Sequence, residues 1–468
     1  MQRLNLEMLD RYDIPERRPA AVNAVQFGAS DALLGVADRL LGEAGTEIGI
    51  ALVRPGPAPA QGQDPAALLR EQDGLYTVLA RGYRNEEAVR REIVVQSILR
   101  VPDGGAALDA LAREGALALG IIDAGSVSLN HELAAALRLL RTRREAGLDG
   151  LTFLCLGEDA ACASRVREGL AARCDDAGLA NWVASANDFC PALAEGFVRR
   201  ADAKEAARVC AEMNYADGML HLAEPFARLT VQASASLRAR RLLADAEGIR
   251  LVDDISPAMA AKARLFDAGL FAVVAPGWLL GCDTLSDCMK HEKLRAFAGQ
   301  TYYEELLPAD DEARRAAAPY VIETFERFEN PLNRSDLLRV GRHLLGRFER
   351  GALPVMRAWA AERFEPPRRL SFALAATIML CAGARQNADG RYEVLRGTQI
   401  HTLDDDPAAL AVFSTLSHDM PPEALAYAVL ADWELWHGAD LREIDGLEQR
   451  VALDIARLQR EPGYLPEG

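Results

Sequence analysis

The sequence lacks several features that would assign it to a specialised class of protein. None of its eight cysteines forms a C-x-x-C pair, so the common zinc and redox motifs are absent. The first residues contain no apolar core of a signal peptide. The longest uncharged apolar run, residues 370–384, has about fifteen residues, whereas a transmembrane helix needs about twenty. We therefore expect a cytoplasmic protein with reduced, mostly buried cysteines, a buried core helix at that run and no membrane partner.

The charge distribution also excludes a class of partners. The formal net charge is −16, and acidic and basic residues are mixed along the whole chain. Binding to nucleic acid or to anionic membranes depends on clustered lysine and arginine. The seven histidines show no metal-ligand spacing. We expect a small-molecule partner, no nucleic acid, no metal, and a monomer or dimer.

The first half of the chain has the pattern of a parallel sheet covered by helices. A chain of 468 residues is long enough for two domains. Short apolar runs alternate with helical patterns, which is typical of an α/β fold. Residues 22–27 form the first predicted strand, which leads through Gly28 into a predicted helix at 31–41. Further predicted strands are residues 48–53, 75–80, 116–122 and 151–156.

The second half is predicted to be all-helical. After one strand-like segment at 249–255, long helical patterns follow with few β-branched runs. They cover residues 257–268, 283–307, 312–328, 335–348, 371–384 and 421–458. We place the domain boundary near residue 240, giving an α/β domain at 1–240 and a helical domain at 241–468.

Eight segments, in order and spread over nearly the whole chain, carry a family resemblance. They are VQFG (25–28), IALVRP (50–55), QDGLYT (72–77), ANDFC (186–190), YADG (215–218), VDDI (252–255), RFENP (327–331) and LSFALA (370–375). The chain resembles the mannitol dehydrogenase family, in particular its tagaturonate reductase (altronate oxidoreductase) branch. The resemblance implies a Rossmann-type N-terminal domain, a helical C-terminal domain and metal-independent hydride transfer between a nicotinamide and a polyol or sugar acid.

The turn after the first strand departs from the family pattern G-x-G-N-F-x-R, whose glycines let the backbone approach the cofactor pyrophosphate. Only the first glycine is present, as Gly28. Ser30 adds a side chain, Asp31 places a carboxylate beside the expected phosphate, and Leu34 replaces the arginine. The alternative interpretation is that Asp31 caps the helix. We expect a dinucleotide to bind weakly.

The resemblance assigns cofactor binding to six residues: Phe27, Gly28, Ser30, Asp31, Arg54 and Asp123. Arg54 ends the second predicted strand, where NAD-dependent enzymes often carry an acid for the ribose. NAD is the expected cofactor, and NADP stays open as an alternative. The alternative interpretation is that Arg54 is an ordinary exposed arginine of a loop.

The family's chemistry lies on the motif K-x-x-x-x-N-x-x-H, in which the lysine exchanges the proton of the reacting hydroxyl. Here the lysine is Lys262, while Asp267 and Leu270 replace the asparagine and the histidine. On a helix these positions fall within a sector of about 140°. Leu270 cannot donate a hydrogen bond to an oxyanion, and an ionised Asp267 stabilises the protonated lysine. A surface ion pair is the alternative interpretation of the two charges.

The resemblance completes the site with four polar residues. Asn187 matches an asparagine that contacts the substrate oxygen, so the catalytic set is Lys262, Asn187 and Asp267. Arg327, Asn330 and Arg347 are assigned to substrate binding, because two arginines could hold a substrate carboxylate. Ordinary cap or surface roles are the alternatives for each.

Two functions follow from the residues. The first is an NAD(P)-dependent oxidoreductase that acts on a hexuronate-like keto acid or polyol. The second is a non-catalytic relative that binds a different small molecule or a protein partner in the inter-domain cleft, since fold does not fix function.

Overall fold

A computed structural model describes residues 1–11, 21–43, 48–57, 63–84, 87–102, 104–241, 243–244 and 246–466. The chain divides by its internal packing into two units, Met1–Met259 and Ala260–Gly468. This division falls after the predicted boundary near residue 240, because the strand Ile249–Val252 pairs with the sheet of the first unit. No helix in the described ranges combines the length and apolarity needed to cross a membrane.

The first unit is a mixed α/β structure. Its strands are β1 (Gln2–Arg3), β2 (Val22–Phe27), β3 (Gly49–Val53), β4 (Tyr76–Arg84), β5 (Glu87–Val95), β6 (Ile98–Arg100), β7 (Leu119–Asp123), β8 (Thr152–Leu156), β9 (Asp188–Glu195), β10 (Val198–Arg200), β11 (Tyr215–Ala216), β12 (His221–Ala223), β13 (Arg228–Gln232) and β14 (Ile249–Val252). Its helices are α1 (Leu6–Arg11), the π-helical turn π1 (Leu33–Ala37), α2 (Asp38–Glu43), α3 (Pro65–Glu71), α4 (Gly104–Ala112), α5 (Leu129–Glu145), α6 (Cys162–Ala171), α7 (Ala177–Ala186), α8 (Ala203–Met213) and α9 (Ala235–Arg240).

Eight of these strands form the central sheet, in the order β14-β13-β9-β8-β7-β2-β3-β6. Every pairing is parallel except that of β9 with β13. From β2 the chain proceeds outward through β3 and β6 on one side, and through β7, β8 and β9 on the other. The strand order therefore reverses between β2 and β7, and open α/β sheets bind ligands at the carboxyl ends of the strands that flank such a switch point.

Helices cover both faces of the sheet. On one face Val25 and Phe27 of β2 pack with Leu137 of α5 and Val166 of α6. On the other face Ala24 of β2 belongs to a cluster with the π1 and α2 side chains. This two-sided burial explains why the strands are nearly continuous apolar runs. The Rossmann-type fold class predicted for this half is confirmed.

The second unit is mainly helical. Its helices, together with α10, which begins in the first unit, are α10 (Ser256–Ala261), π2 (Lys262–Asp267), α11 (Ala268–Leu279), α12 (Leu285–Lys290), α13 (Glu292–Gln300), π3 (Thr301–Leu306), α14 (Asp311–Glu329), α15 (Leu337–Val340), α16 (Leu344–Arg347), π4 (Phe348–Ala352), α17 (Leu353–Arg363), α18 (Arg368–Cys381), α19 (Pro407–Ser414), α20 (Pro422–Leu430), a 3₁₀ turn (Leu441–Glu443) and α21 (Leu447–Arg460). It also contains a three-stranded antiparallel sheet of β15 (Arg385–Gln386), β16 (Tyr392–Arg396) and β17 (Gln399–Leu403), so the all-helical prediction is too simple. The predicted helix 421–458 is interrupted between α20 and α21.

The apolar run at 370–384 forms a core helix, as predicted. All residues of α18 except Arg368 are buried, and α18 packs against α11, whose side chains are also almost all buried. The eight cysteines are free thiols, and seven of them are buried.

Candidate functional site

Three of the residues predicted to bind cofactor meet at the switch point. Gly28 follows β2 with φ +98°, and its N–H donates to the carbonyl of Val53 at 2.9 Å. The Ser30 hydroxyl donates to Oδ2 of Asp123, which ends β7, at 2.7 Å. The other oxygen of Asp123 accepts from the backbone N–H of Gly125 at 2.9 Å. The turn therefore stands where a Rossmann-type fold receives its ligand.

The helix after the turn is capped by Ser30, not by Asp31. The Ser30 Oγ accepts from the N–H of Leu33 at 3.3 Å, which is the usual N-cap bond. Asp31 instead accepts from the backbone N–H of Arg200 at 3.3 Å and lies 3.7 Å from Nε2 of His221. Burial lowers the pKa of His221, while the nearby Asp31 carboxylate acts in the opposite direction.

A residue that the sequence did not single out lies closest to the turn. Glu132, in the first turn of α5, is 3% exposed. A Cβ placed on Gly28 would stand 2.5 Å from Oε1 of Glu132 and 3.6 Å from its Oε2. Oε1 accepts from the hydroxyl of Ser126 at 2.9 Å, and Oε2 has no hydrogen-bond partner within the described part of the chain. Burial raises the pKa of Glu132 to about 7, and the nearby Asp123 carboxylate adds to the rise.

The remaining cofactor candidates have structural contacts. The Phe27 side chain is fully buried in the core, so only its backbone could face a ligand. Arg54 follows β3 at the same edge of the sheet. It donates to the carbonyl of Pro57 at 3.1 Å and pairs with Asp64 at 3.4 Å.

Asn187 lies at the amino ends of β8 and β9, opposite the end of the sheet that carries the Gly28 turn. It ends α7, its Oδ1 accepts from the N–H of Leu151 at 2.8 Å, and its Nδ2 donates to the carbonyl of Val183 at 3.1 Å. The next residue, Asp188, pairs with Thr152, the first residue of β8. At about 3.3 Å per residue, a five-residue strand separates its two ends by roughly 15 Å. The motif match therefore misplaced this asparagine: it joins two backbone segments far from the Gly28 turn.

The second unit contains a buried cluster of three charged side chains. Nζ of Lys262 donates to Oδ2 of Asp267 at 2.9 Å, and Nη1 of Arg347 donates to Oδ1 of the same carboxylate. Lys262 is 6% exposed and Asp267 is fully buried, so the surface-pair interpretation is wrong. Arg347, predicted to hold a substrate carboxylate, already has a carboxylate partner inside the protein. Two cations share one anion, and the cluster has a net positive charge.

The backbone explains why Lys262 and Asp267 meet. Both belong to π2, in which the N–H of Ala268 bonds to the carbonyl of Ala263, five residues earlier. In an α-helix two residues five apart diverge by about 140°, whereas the wider π-turn brings them toward one face. Such turns often occur at functional sites. The five-residue spacing was visible in the sequence, but the turn type was not.

Two glycines let neighbouring elements approach π2. A Cβ on Gly351 of π4 would stand 2.3 Å from the carbonyl oxygen of Ala263. A Cβ on Gly269 would stand 1.8 Å from the hydroxyl of Tyr302, which donates to the carbonyl of Leu265 at 2.5 Å. Both positions therefore need a residue without a side chain.

We predict that Gly351→Ala destabilises the second unit by about 1–3 kcal/mol, the usual cost of overpacking a tight contact. Gly299→Ala is the matched control, because Gly299 is also helical and a Cβ there meets nothing within 4 Å. The control should be neutral or should stabilise by up to about 1 kcal/mol. Denaturant unfolding measures both variants, and equal effects would contradict the assigned contact.

The other predicted substrate residues have contacts of their own. Arg327 is 6% exposed and stacks over the ring of Phe266 at 4.2 Å. Asn330 ends α14, and its Oδ1 accepts from the N–H of Leu332 at 3.0 Å. Leu270 is fully buried in α11. Within the described ranges, no three His, Cys, Asp or Glu side chains form a metal-binding group.

The fold defines a two-unit protein with a Rossmann-type α/β first unit and a mainly helical second unit. Residues 254–452 match the family model described as the mannitol dehydrogenase C-terminal domain. Over these residues the chain is similar to the mannitol dehydrogenase family.

Relatives extend this similarity along the whole chain. An altronate oxidoreductase of Klebsiella pneumoniae (strain 342) is 29% identical over 96% of this chain and 97% of its own length. An altronate oxidoreductase of Bacillus subtilis (strain 168) is 24% identical over 97% and 95%. A Pseudomonas fluorescens mannitol 2-dehydrogenase, solved in a ternary complex with NAD and D-mannitol, shares the fold with a TM-score of 0.74, 17% identity, and coverage of 99% of this chain and 98% of that one.

Proposed function

We propose that this protein is an NAD-dependent oxidoreductase that reduces a sugar-derived keto acid by hydride transfer. The relatives named above are altronate oxidoreductases and a mannitol dehydrogenase, which supports the reaction class. The observation that carries the proposal is the buried Lys262 ammonium, held 2.9 Å from the Asp267 carboxylate. All these relatives are enzymes, so the non-catalytic alternative ranks second.

The switch-point turn lies where a Rossmann-type fold receives its ligand. Gly28 has φ +98°, a conformation that favours glycine, and the Glu132 carboxyl group lies against it. Gly28, Ser30 and Glu132 would hold the phosphates, and the bound cofactor would supply the hydride. Weak binding of the dinucleotide, which the sequence leads us to expect, stays a prediction. NADP and cytoplasmic localisation stay predictions of the sequence alone.

The charge of the lysine cluster favours an acid substrate over a neutral polyol. Lys262 and Arg347 carry two positive charges against the one negative charge of Asp267. Because opposite charges attract most strongly away from water, a substrate carboxylate would meet a favourable potential here.

The reaction should run more readily as a reduction at neutral pH. The Lys262 ammonium, 2.9 Å from Asp267, can donate a proton to the oxygen of a ketone, whereas an ammonium group has no lone pair with which to accept a proton from an alcohol. We expect NADH-dependent reduction of the keto acid derived from altronate at pH 7. Oxidation of altronate or mannitol should become measurable only at distinctly alkaline pH.

Initial rates in both directions, from pH 6 to 10 and with both nicotinamide cofactors, test this proposal. Fructose, a neutral ketone, is the matched control for substrate charge and should be reduced more slowly. Absence of turnover with every substrate would refute the proposed function. Faster oxidation than reduction at pH 7 would refute the role given to the Lys262–Asp267 pair.

A further inference from the structure

Beside the switch-point turn lies a buried polar atom that has no hydrogen-bond partner among the described residues. Glu132 is buried, its Oε1 accepts from Ser126, and its Oε2 lacks a partner within the described residues. Leaving a buried polar atom without a hydrogen bond is costly. Both oxygens lie within 4 Å of the place where a Gly28 side chain would stand, Oε1 at 2.5 Å and Oε2 at 3.6 Å, so the carboxyl group lies against the turn.

We propose that Glu132 is a ligand-binding residue of the nucleotide site, which as a neutral carboxylic acid donates a hydrogen bond from Oε2 to a phosphate oxygen of the dinucleotide. This inference rests on the proposed function, because it assumes that the turn receives phosphate. It gives a donor to a turn that lacks the second glycine and the arginine of its relatives.

The hydrogen-bond pattern determines which oxygen carries the proton. Oε1 already accepts from the Ser126 hydroxyl at 2.9 Å, so the proton of a neutral Glu132 belongs on Oε2. A protonated carboxyl group has one O–H donor, and phosphate oxygens only accept. The neutral acid is therefore complementary to phosphate, whereas the ionised form would place a negative charge against it.

The surroundings of Glu132 favour its neutral form near pH 7. Burial raises its pKa to about 7, the hydrogen bond from Ser126 and the charge of Arg54 act in the opposite direction, and the Asp123 carboxylate adds to the rise. Below about pH 7 the group is mainly neutral, and above it the group is mainly ionised. The affinity for dinucleotide should therefore fall as the pH rises through 7.

Calorimetric titration of the full chain with NADH, between pH 6 and 9, tests the proposal. If only the neutral form binds, the dissociation constant should increase roughly 25-fold from pH 6.5 to 8.5, in proportion to the loss of that form. Glu132→Gln keeps the shape and a donor but does not ionise. It should bind NADH with a constant that changes less than about twofold over the same range.

Asp38→Asn is the matched control. Asp38 is a second buried carboxyl of the same unit, and burial also raises its pKa to about 7. It accepts from Gln26 and Tyr76 in the core, so its replacement should leave the pH dependence intact. Circular dichroism of each variant verifies that it is folded.

The outcomes separate this inference from the proposed function. NADH binding that does not depend on pH, or pH dependence that persists in Glu132→Gln or disappears in Asp38→Asn, would overturn the role of Glu132 and leave the oxidoreductase proposal standing. No binding of NADH or NADPH by the wild type or by Glu132→Gln at any pH would overturn both.

Discussion

Asp267→Ala should destabilise the protein by about 3–5 kcal/mol, the cost typical of removing one partner from a buried charge cluster. The substitution leaves Lys262 and Arg347 close together, buried and without the carboxylate that both contact. Two like charges in a poorly solvated place repel each other, and neither recovers its hydration. Denaturant unfolding at pH 7 measures the loss.

Glu329→Ala provides the control for this prediction. Glu329 forms an ion pair with Arg295 in the same unit, but both side chains are well exposed, so its removal should cost less than about 1 kcal/mol. Similar losses in the two variants would show that the Asp267 cluster is solvated in solution. Asp267→Asn should fall between them, because the amide oxygen can still accept one hydrogen bond.

Lys262→Met should lower kcat for keto-acid reduction by about 10²–10⁴, the usual contribution of a positioned proton donor. Methionine fills a similar volume, and Asp267 keeps Arg347 as its partner, so the fold should survive. A small change in KM with a large change in kcat would identify loss of the transition-state interaction.

Lys290→Met is the comparison variant, since Lys290 is an exposed lysine of the same unit and should keep wild-type rates. Retention of more than a tenth of the wild-type kcat by Lys262→Met would exclude proton donation by this lysine.

Much of the fold could be predicted because buried strands and helices appear in the local sequence as runs or periodic patterns of apolar residues. The apolar run that forms β2 leads directly into Gly28. The long apolar segment that forms α18 is uncharged, so it was predicted to lie in a core. The small sheet of the second unit was missed. Its sequence does contain a hairpin signal, Asp389-Gly390 before the alternating residues of β16, which the surrounding helical pattern obscured.

The site was less predictable, because long-range geometry decides it. Asn187 matched a motif, but the register of β8 and β9 places it at the amino ends of the strands, and no local pattern gives that register. Glu132 lies in an ordinary amphipathic helix, and nothing in the sequence around it indicates that its side chain faces Gly28. Lys262 and Asp267 were paired correctly by spacing, while the contribution of Arg347, eighty residues away, could not be seen.

The wide turn at π2 also affects how this helix tolerates a change in chain length. A π-turn contains one residue more than an α-helical turn between the same ends. Deleting one residue from 263–266 would close it into an α-helical turn, with Lys262 and Asp267 four residues apart and still on one face. The following helix α11 would keep its rotational phase. In α11 itself, whose residues are buried on nearly every side, the same deletion would rotate one part of the helix against the other by about 100°. Length variation among related chains should therefore concentrate at π2 and spare α11.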